Sequence, residues 1–256
     1  MSKEEAKAKV LEEVAQADVK LIILQFVDIL GYIKSATLPV EHLEEAMDSG
    51  LGFDGSSVEG FVRVFESDLV MFPDPVTFRI LPWRPRDRRE ARIICDIMRP
   101  GGEPFEGDPR HILKRALGEL EEHGFIYNTG PELEFFLLKN DGEPLGKPVP
   151  HDIGGYFDFS PLDMASDVRR DATFMLQEMG FDIEMNHHEV APGQHEIDFK
   201  FEDALTTADS AVTFKTVIKA VAIARADCDL HAETVLWNKW VWNACQPKPL
   251  QHKGRP

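Results

Sequence analysis

The sequence has 256 residues and a hydrophobic content of 43%, which predicts one large domain or two ordinary ones with a real core. Its formal net charge of −17 should repel nucleic acid and anionic membranes, so we expect neither as a partner. The chain lacks a run of about 18 apolar residues that could span a membrane, its N-terminus lacks the apolar segment of a signal peptide, and its few, distant cysteines suit a reducing cytoplasm.

Apolar spacing and turn residues predict a small mixed α/β unit in the N-terminal part of the chain. Residues 4–16 have apolar side chains at helical spacing, and two strands joined by a turn at Asp28–Gly31 follow them. A short helix then ends at Gly50. Residues 51–61 are rich in glycine and serine, and we interpret them as a loop.

Prolines and glycines mark the transition to a second unit. Strands interrupted by prolines occupy residues 67–98, and the glycine-rich stretch that follows predicts a domain boundary, which we place after residue 104. Asp108 and Pro109 suit the N-cap and the first position of a helix that ends at Gly124.

The second unit is predicted to contain further strands and helices. A strand is predicted over residues 125–139, and the polar stretch 140–155 is interpreted as a mobile loop. A helix that ends at Gly180 precedes a strand pair over residues 181–201, and a long helix covers residues 202–226.

Two glutamates at strand spacing suggest a cation site. Glu132 and Glu134 are two residues apart in a predicted strand, so both side chains should point to the same face. Like charges on a partly covered face repel each other unless a divalent cation or solvent compensates them. Spacing alone therefore leaves two alternatives open, a metal site and the exposed face of an edge strand.

A second group of carboxylates lies in the stretch NHHEVAPGQHEIDF. Its Pro-Gly pair suits a type II turn, and a chain reversal there would make Glu189 and Glu196 directly opposed cross-strand partners. Glu184 adds a further carboxylate upstream, and carboxylate oxygens favour Mg²⁺ or Mn²⁺. The adjacent His187 and His188 must point to opposite faces, and we interpret both as structural rather than as ligands.

Four stretches together carry a family resemblance. GFDGSSVEGF, GPELEFFLL, GGYFDFSPLDMASDVRRD and NHHEVAPGQHEIDFKFEDALTTAD resemble glutamine synthetase of the bacterial and archaeal type I class, and the resemblance covers residues 1–232. It implies an α+β fold, with a β-grasp-like N-terminal domain at 1–104. The beginning of a catalytic domain, an incomplete antiparallel sheet with helices, would follow at 105–232.

The resemblance also implies a reaction and an assembly. The family joins ammonia to L-glutamate with cleavage of ATP, through a γ-glutamyl phosphate intermediate, and assembles as stacked hexameric rings with active sites between subunits. Each site holds two divalent cations, Mg²⁺ or Mn²⁺. By motif position, Glu134, Glu189 and Glu196 correspond to the ligands of one ion, and Glu132 corresponds to a ligand of the second, which lies on the ATP phosphates.

Two further residues match family positions. Glu184 corresponds to a position that contacts the nucleotide. Asp54, in FDGSS, corresponds to the aspartate that reaches into the next subunit's site, where it helps to bind ammonium and remove its proton. Carboxylates around an ammonium pocket attract the cation and can accept its proton.

The last stretch, residues 233–256, departs from the family pattern and contains three tryptophans. Tryptophan has a single codon, TGG, so a reading one nucleotide later turns Trp237, Trp240 and Trp242 into glycines. The resulting spacing, G-x-x-G-x-G, is that of the missing family motif. We interpret the tail as a frame-shifted reading of a glutamine synthetase gene, and the alternative is a genuine different C-terminus.

This interpretation predicts that the chain alone is inactive, because the family's remaining metal-, glutamate- and phosphate-binding residues lie beyond residue 232. The incomplete sheet would expose an edge that favours aggregation. Two alternatives stay open. One is a non-catalytic fragment that binds metal or caps a full-length oligomer, and the other is a sister ligase that joins glutamate to an amine other than ammonia.

Overall fold

The computed structural model describes residues 2–58, 60–61, 68–139, 149–224 and 230–231. The chain divides into two compact units, Met1–His123 and Gly124–Pro256. The predicted tail and most of the predicted loop at 140–155 lie outside the described residues. None of the helices in the described ranges is both long enough and apolar enough to cross a membrane.

The first unit contains a mixed sheet of six strands in the order β2-β1-β6-β4-β3, with β5 beside β6. Strands β1 and β6 run parallel, and the other pairs are antiparallel. The elements are α1 (Lys3–Ala17), β1 (Leu21–Val27), β2 (Ile33–Pro39), α2 (Leu43–Ser49), β3 (Leu51–Asp54), β4 (Asp68–Pro73), β5 (Arg79–Ile80), β6 (Glu90–Met98) and α3 (Pro109–Glu122).

Local sequence explains how the elements of the first unit begin and end. Ser2 caps α1 in a capping box with Glu5, and the Asp108 side chain accepts a hydrogen bond from Arg110 N–H at the start of α3. These helices and the β1–β2 hairpin confirm the predictions. The predicted loop at 51–61 was wrong in part, since residues 51–54 form β3, whose Phe53 side chain packs against the core.

The second unit is built around an antiparallel sheet of three strands in the order β10-β11-β8. Its elements are β7 (Asn128–Thr129), β8 (Glu134–Phe136), β9 (Leu138–Lys139), α4 (Ser166–Glu178), β10 (Ile183–His188), β11 (Gln194–Phe199), β12 (Glu202–Asp203), α5 (Ala204–Ala224) and β13 (Leu230–His231). Helices α4 and α5 contact each other, and α4 also contacts β10 and β11. The core between sheet and helices includes Phe135, Leu176, Ile197 and Phe214, all fully buried.

The single strand predicted over residues 125–139 is divided into β7, β8 and β9. Pro131 has no N–H to donate to a strand partner, and a Cβ atom on Gly130 would lie 3.1 Å from the Phe201 side chain. Strand pairing is therefore interrupted between β7 and β8. Glu132 lies in this gap, outside the strand that was predicted to hold it beside Glu134.

Candidate metal centre

The turn between β10 and β11 sets which side chains meet. Gln194 N–H donates to Ala191 O at 2.9 Å, and Gly193 has φ +69°, as the predicted type II turn requires. The ladder ends two residues earlier along β10 than predicted, because Glu189 N–H donates to Gln194 O at 2.8 Å. A type II turn does not match the twist of a tight hairpin, so the loop is longer than its Pro-Gly pair.

The predicted direct opposition of Glu189 and Glu196 was therefore wrong. Glu196 lies opposite His187 on β10, and on its other side it lies opposite Glu134 on β8. The register differs from the prediction by two positions, and an even shift keeps the same side chains on the same face. Glu189 consequently lies diagonal to Glu196 on that face, which we call the carboxylate face. It contains Glu134, His187, Glu189, Glu196 and Asp198.

Ligand atoms converge on the carboxylate face. One potential ligand atom each from His187, Glu189 and Glu196 lies within 4.8 Å of the others, and all three residues are buried. The His187 ring is central, with Nδ1 3.6 Å from Glu189 Oε1 and Nε2 3.4 Å from Glu196 Oε2. Glu134 is oriented by Gln194, whose Nε2 donates to Glu134 Oε2 at 2.6 Å.

The electrostatics of the carboxylate face show an excess of negative charge. Burial and the neighbouring carboxylates, first Asp198 and then Glu189 and Glu134, raise the pKa of Glu196 to about 9. Burial is also the main reason that the pKa of Asp198 is raised. Like charges opposed across neighbouring strands destabilise a sheet unless something bridges them.

A divalent cation fits this face. Among the described residues, the Asp198 Oδ1 atom is buried without a hydrogen-bond donor, and Asp198 Oδ2 lies 3.9 Å from His187 Nε2. A buried acceptor without a donor is costly, and a cation beside it would remove that cost. Hard oxygen ligands are those that Mg²⁺ and Mn²⁺ prefer. The donor set therefore fits the metal that the sequence predicts.

The structure brings two of the four predicted metal ligands, Glu189 and Glu196, into one group of close ligand atoms. Glu134 lies opposite Glu196 on the neighbouring strand but outside this group, and Glu132 is exposed and also outside it. Glu184 is exposed at a β-bulge between Ile183 and Met185, and its charge contributes to the raised pKa of Asp198. Sequence reasoning missed Asp198, although the spacing argument used for Glu132 and Glu134 applies equally to Glu196 and Asp198.

An aromatic pair lies beside the carboxylate face. The Tyr156 and Phe157 rings stack with centroids 4.1 Å apart, and both present edges to the His187 ring, at 5.4 and 4.7 Å. Phe157 has a left-handed backbone with φ +60°, and its N–H donates to His188 O at 3.1 Å. The pair restricts the His187 ring while its own outer surface stays exposed.

The opposite face of the hairpin holds a second ionisable group, which we call the network face. It contains Asp152, Asp163, Arg169, His188 and His195, all buried. Arg169 donates to both Asp163 oxygens, at 3.1 and 2.5 Å, and its Nη1 lies 2.8 Å from His195 Nδ1. Burial and then the Arg169 charge lower the pKa of His195 to about 3, so its ring is neutral.

The network face resembles a metal site in composition but not in bonding. The His188 Nδ1 atom lies 2.6 Å from Glu189 O, and its Nε2 atom lies 2.9 Å from Asp152 Oδ1. Each ring nitrogen therefore lies within hydrogen-bond distance of an oxygen. His195 Nε2 is buried without a hydrogen-bond partner among the described residues. Because both His188 nitrogens and both Asp152 oxygens have hydrogen-bond partners, we interpret this face as structural.

Asp54 lies in the first unit, at the end of β3. Its Oδ1 atom accepts hydrogen bonds from the Ser56 hydroxyl at 2.6 Å and from Ser56 N–H at 2.9 Å. Its Oδ2 atom accepts one from the Ser57 hydroxyl at 3.1 Å. These bonds, first that of the Ser56 hydroxyl, lower the pKa of Asp54. The predicted catalytic aspartate is therefore an exposed, ionised carboxylate.

Comparison with known proteins gives a consistent result. The family "Glutamine synthetase, beta-Grasp domain" matches residues 18–100, and "Glutamine synthetase, catalytic domain" matches residues 106–229. The chain is 52% identical over 252 residues to glutamine synthetase of Methanosarcina mazei, covering 98% of this chain and 53% of that protein. It is 48% identical to the Halobacterium salinarum enzyme, covering 87% of this chain and 49% of that protein.

Solved structures agree with this result. The GmaS/ADP complex has a TM-score of 0.77 at 27% identity and covers 88% of this chain and 50% of that chain. Plasmodium falciparum glutamine synthetase has a TM-score of 0.79 at 23% identity, covering 91% and 50%, which supports the fold alone. The predicted α+β fold with a β-grasp N-terminal domain is confirmed. The chain spans about half the length of the curated relatives that it matches, and it belongs to the glutamine synthetase family.

Proposed function

We propose that this chain is part of a glutamate–ammonia ligase, which joins ammonia to L-glutamate with cleavage of ATP and forms L-glutamine through γ-glutamyl phosphate. Family membership supports the reaction. The observation that carries the proposal is the convergence of ligand atoms from Glu189 and Glu196. Glu134 lies opposite Glu196 on the same face, and the charges of Glu189 and Glu134 help to raise the pKa of Glu196.

In this proposal, Glu134, Glu189 and Glu196 hold one Mg²⁺ or Mn²⁺ ion, with His187 and Asp198 beside them. Such an ion neutralises charge on transferring phosphoryl groups and orients the reactants. Glu189 and Glu196 are buried, which limits competition from water for their ligand atoms, and cross-strand pairing sets the spacing of Glu196 and Glu134. We propose Glu132 for the second ion and Glu184 for the nucleotide.

We propose that Asp54 reaches into the active site of a neighbouring subunit in stacked hexameric rings, where it attracts ammonium. Its hydrogen bonds from Ser56 and Ser57 favour the anionic carboxylate. An anion attracts the ammonium cation, and the lowered pKa favours this attraction over acceptance of its proton. A cytoplasmic location stays a prediction from the cysteine content.

We propose that the 256-residue chain is inactive alone, because it covers about half of its relatives. The carboxylate face, however, lies wholly within the second unit. This supports a second candidate, a fragment that binds metal without catalysis.

The test compares two proteins. One is the 256-residue chain, and the other is the same chain extended by the region that its relatives contain. We expect ADP and glutamine formation by the extended protein only, with loss of both in its Glu196→Gln variant. Glutamine formation by the short chain would contradict its inactivity. Full activity of the extended Glu196→Gln protein would overturn the metal site. A preference for methylamine over ammonia would favour the sister ligase.

A further inference from the structure

We infer that Asp152 and His188 form a positioning pair that fixes Glu189 as a metal ligand from the opposite face of the hairpin. The inference rests on the proposed function, since it concerns a ligand of the proposed metal. Neither side chain lies on the carboxylate face. Both act through the backbone at the two ends of the β10–β11 loop.

The contacts of Asp152 join three separate parts of the chain. Its Oδ1 atom lies 2.9 Å from His188 Nε2 and accepts a hydrogen bond from Gly193 N–H at 3.0 Å. Its Oδ2 atom accepts one from Met164 N–H at 3.0 Å. The side chain is fully buried. Burial opposes ionisation, but these hydrogen bonds outweigh it, and the pKa of Asp152 is lowered.

His188 continues the connection to the ligand residue itself. Its Nδ1 atom donates to the backbone carbonyl of Glu189 at 2.6 Å. Glu189 is therefore held on its carbonyl side by the ring, while Gly193, at the other end of the loop, is held by the same Asp152 oxygen. The Asp152 Oδ1 atom thus contacts both ends of the loop, through His188 and Gly193, and sets the distance between them. Glu189, the proposed ligand, lies at the start of this loop.

Close packing around this pair leaves little room for adjustment. A Cβ atom on Gly154 would lie 2.8 Å from His188 Nε2, and one on Gly193 would lie 2.8 Å from Leu137 O. The ring and the loop therefore have few alternative positions. The other buried carboxylate of this segment, Asp163, accepts its hydrogen bonds from Arg169 and from Ala165 N–H rather than from the β10–β11 loop. Asp152 is for this reason the better candidate for positioning Glu189.

The test measures the Mn²⁺ dissociation constant of the full 256-residue chain by calorimetric titration. Far-UV circular dichroism and urea unfolding of each variant accompany it. We expect Asp152→Ala to weaken Mn²⁺ binding by about tenfold or more, the loss typical of a residue that orients a ligand. Asp152→Asn keeps one carbonyl acceptor for His188 and Gly193, so we expect partial recovery.

Two further variants make the outcomes distinct. Asp108→Asn changes another buried, hydrogen-bonded aspartate in the first unit and should leave the Mn²⁺ affinity unchanged. Glu196→Gln removes a proposed ligand and should abolish binding. If Glu196→Gln abolishes binding but Asp152→Ala binds Mn²⁺ as the wild type does, the positioning inference is overturned while the metal site stands.

Absence of binding to the wild type, or unchanged binding to Glu196→Gln, would overturn the proposed site and the inference together. If Asp152→Ala does not fold, His188→Asn decides the matter. Its amide can donate at the Nδ1 position but lacks the donor that faces Asp152. A loss of about tenfold supports the inference, and an unchanged affinity overturns it.

Discussion

On the carboxylate face of the β10–β11 hairpin, Glu196 lies between His187 and Glu134, and negative charge exceeds the available compensation. On the network face, one position along the same strands, His188 and His195 lie in a row with Phe135. There, Arg169 pairs with Asp163, and Asp152 accepts hydrogen bonds from two backbone N–H groups and lies 2.9 Å from His188 Nε2. The exception is His195 Nε2, which is buried without a hydrogen-bond partner among the described residues. The same pair of strands therefore carries two ionisable clusters that differ in how their carboxylates are compensated.

The difference separates binding from structure. A cluster whose charges and hydrogen bonds are satisfied within the protein stabilises the fold and has little affinity left for a ligand. A cluster with like charges in contact is destabilised until a cation enters. Composition alone does not distinguish the two, because both contain histidine and acidic residues. The difference lies in whether the buried carboxylates have hydrogen-bond donors and opposite charges beside them.

The largest expected effect concerns the network face. Arg169→Ala leaves Asp163 buried without its ion pair. We expect the free energy of unfolding to fall by about 3–5 kcal/mol, the usual cost of an uncompensated buried charge. The neighbouring Arg170 pairs with Asp167 at the exposed surface, so Arg170→Ala should cost about 0–1 kcal/mol. Urea denaturation measures both, and equal losses would contradict a structural role for the network face.

A smaller loss is expected at the turn that connects the faces. Gly193 has φ +69°, and an added Cβ would lie 2.8 Å from Leu137 O. We expect Gly193→Ala to cost about 1–3 kcal/mol. Gly118, within α3, has open space around it, so Gly118→Ala should stabilise the protein by about 0.5–1 kcal/mol. Thermal unfolding that shifts in the same direction for both variants would refute this distinction.

Removing the charge of Glu196 should stabilise the metal-free protein. Its pKa is raised from 4.5 to about 9 in the folded state. The folded state then binds more protons than the unfolded state between these values, so stability falls as pH rises through that window. At pH values above 4.5, we expect Glu196→Gln to raise the free energy of unfolding by about 0.5–2 kcal/mol. Below pH 4.5 the two proteins should be equally stable, and a pH-independent difference would contradict the prediction.

The smallest effect is expected at the edge of the carboxylate face. Glu184 is exposed, and its charge acts on Asp198 from a distance. Exposed charges are screened by solvent and salt. We expect Glu184→Gln to change the Mn²⁺ dissociation constant by less than about threefold, with a smaller change at high salt. A loss as large as that of Glu196→Gln would make Glu184 a direct ligand.

The sequence predicts much of the local structure and less of the tertiary contacts. The Asp108-Pro109 pair correctly predicts α3, and the Pro-Gly pair correctly predicts the chain reversal between β10 and β11. The division of the predicted strand at 125–139 was missed. A proline such as Pro131 interrupts a strand only where its position would have to donate an N–H to a neighbouring strand, and a single sequence does not show where that is. The register of the β10–β11 hairpin was also missed, because a type II turn can close a two-residue hairpin loop or lie within a longer loop.

The candidate site shows the same division. The register error is an even number of residues, so Glu189 and Glu196 still lie on one face, as predicted. Asp198 could have been found by the same parity. The Asp152–His188 contact could not, because it joins a loop to a strand that is distant in sequence. Such contacts carry no periodic signal in a single sequence.

The most direct test is a crystal structure of the chain with Mn²⁺, with anomalous scattering used to locate the ion. We expect a peak on the carboxylate face, within ligand distance of Glu134, Glu189 and Glu196. Asp152 and His188 should keep their hydrogen bond. A peak among Asp152, His188 and His195, or the absence of bound Mn²⁺ from both faces, would contradict it.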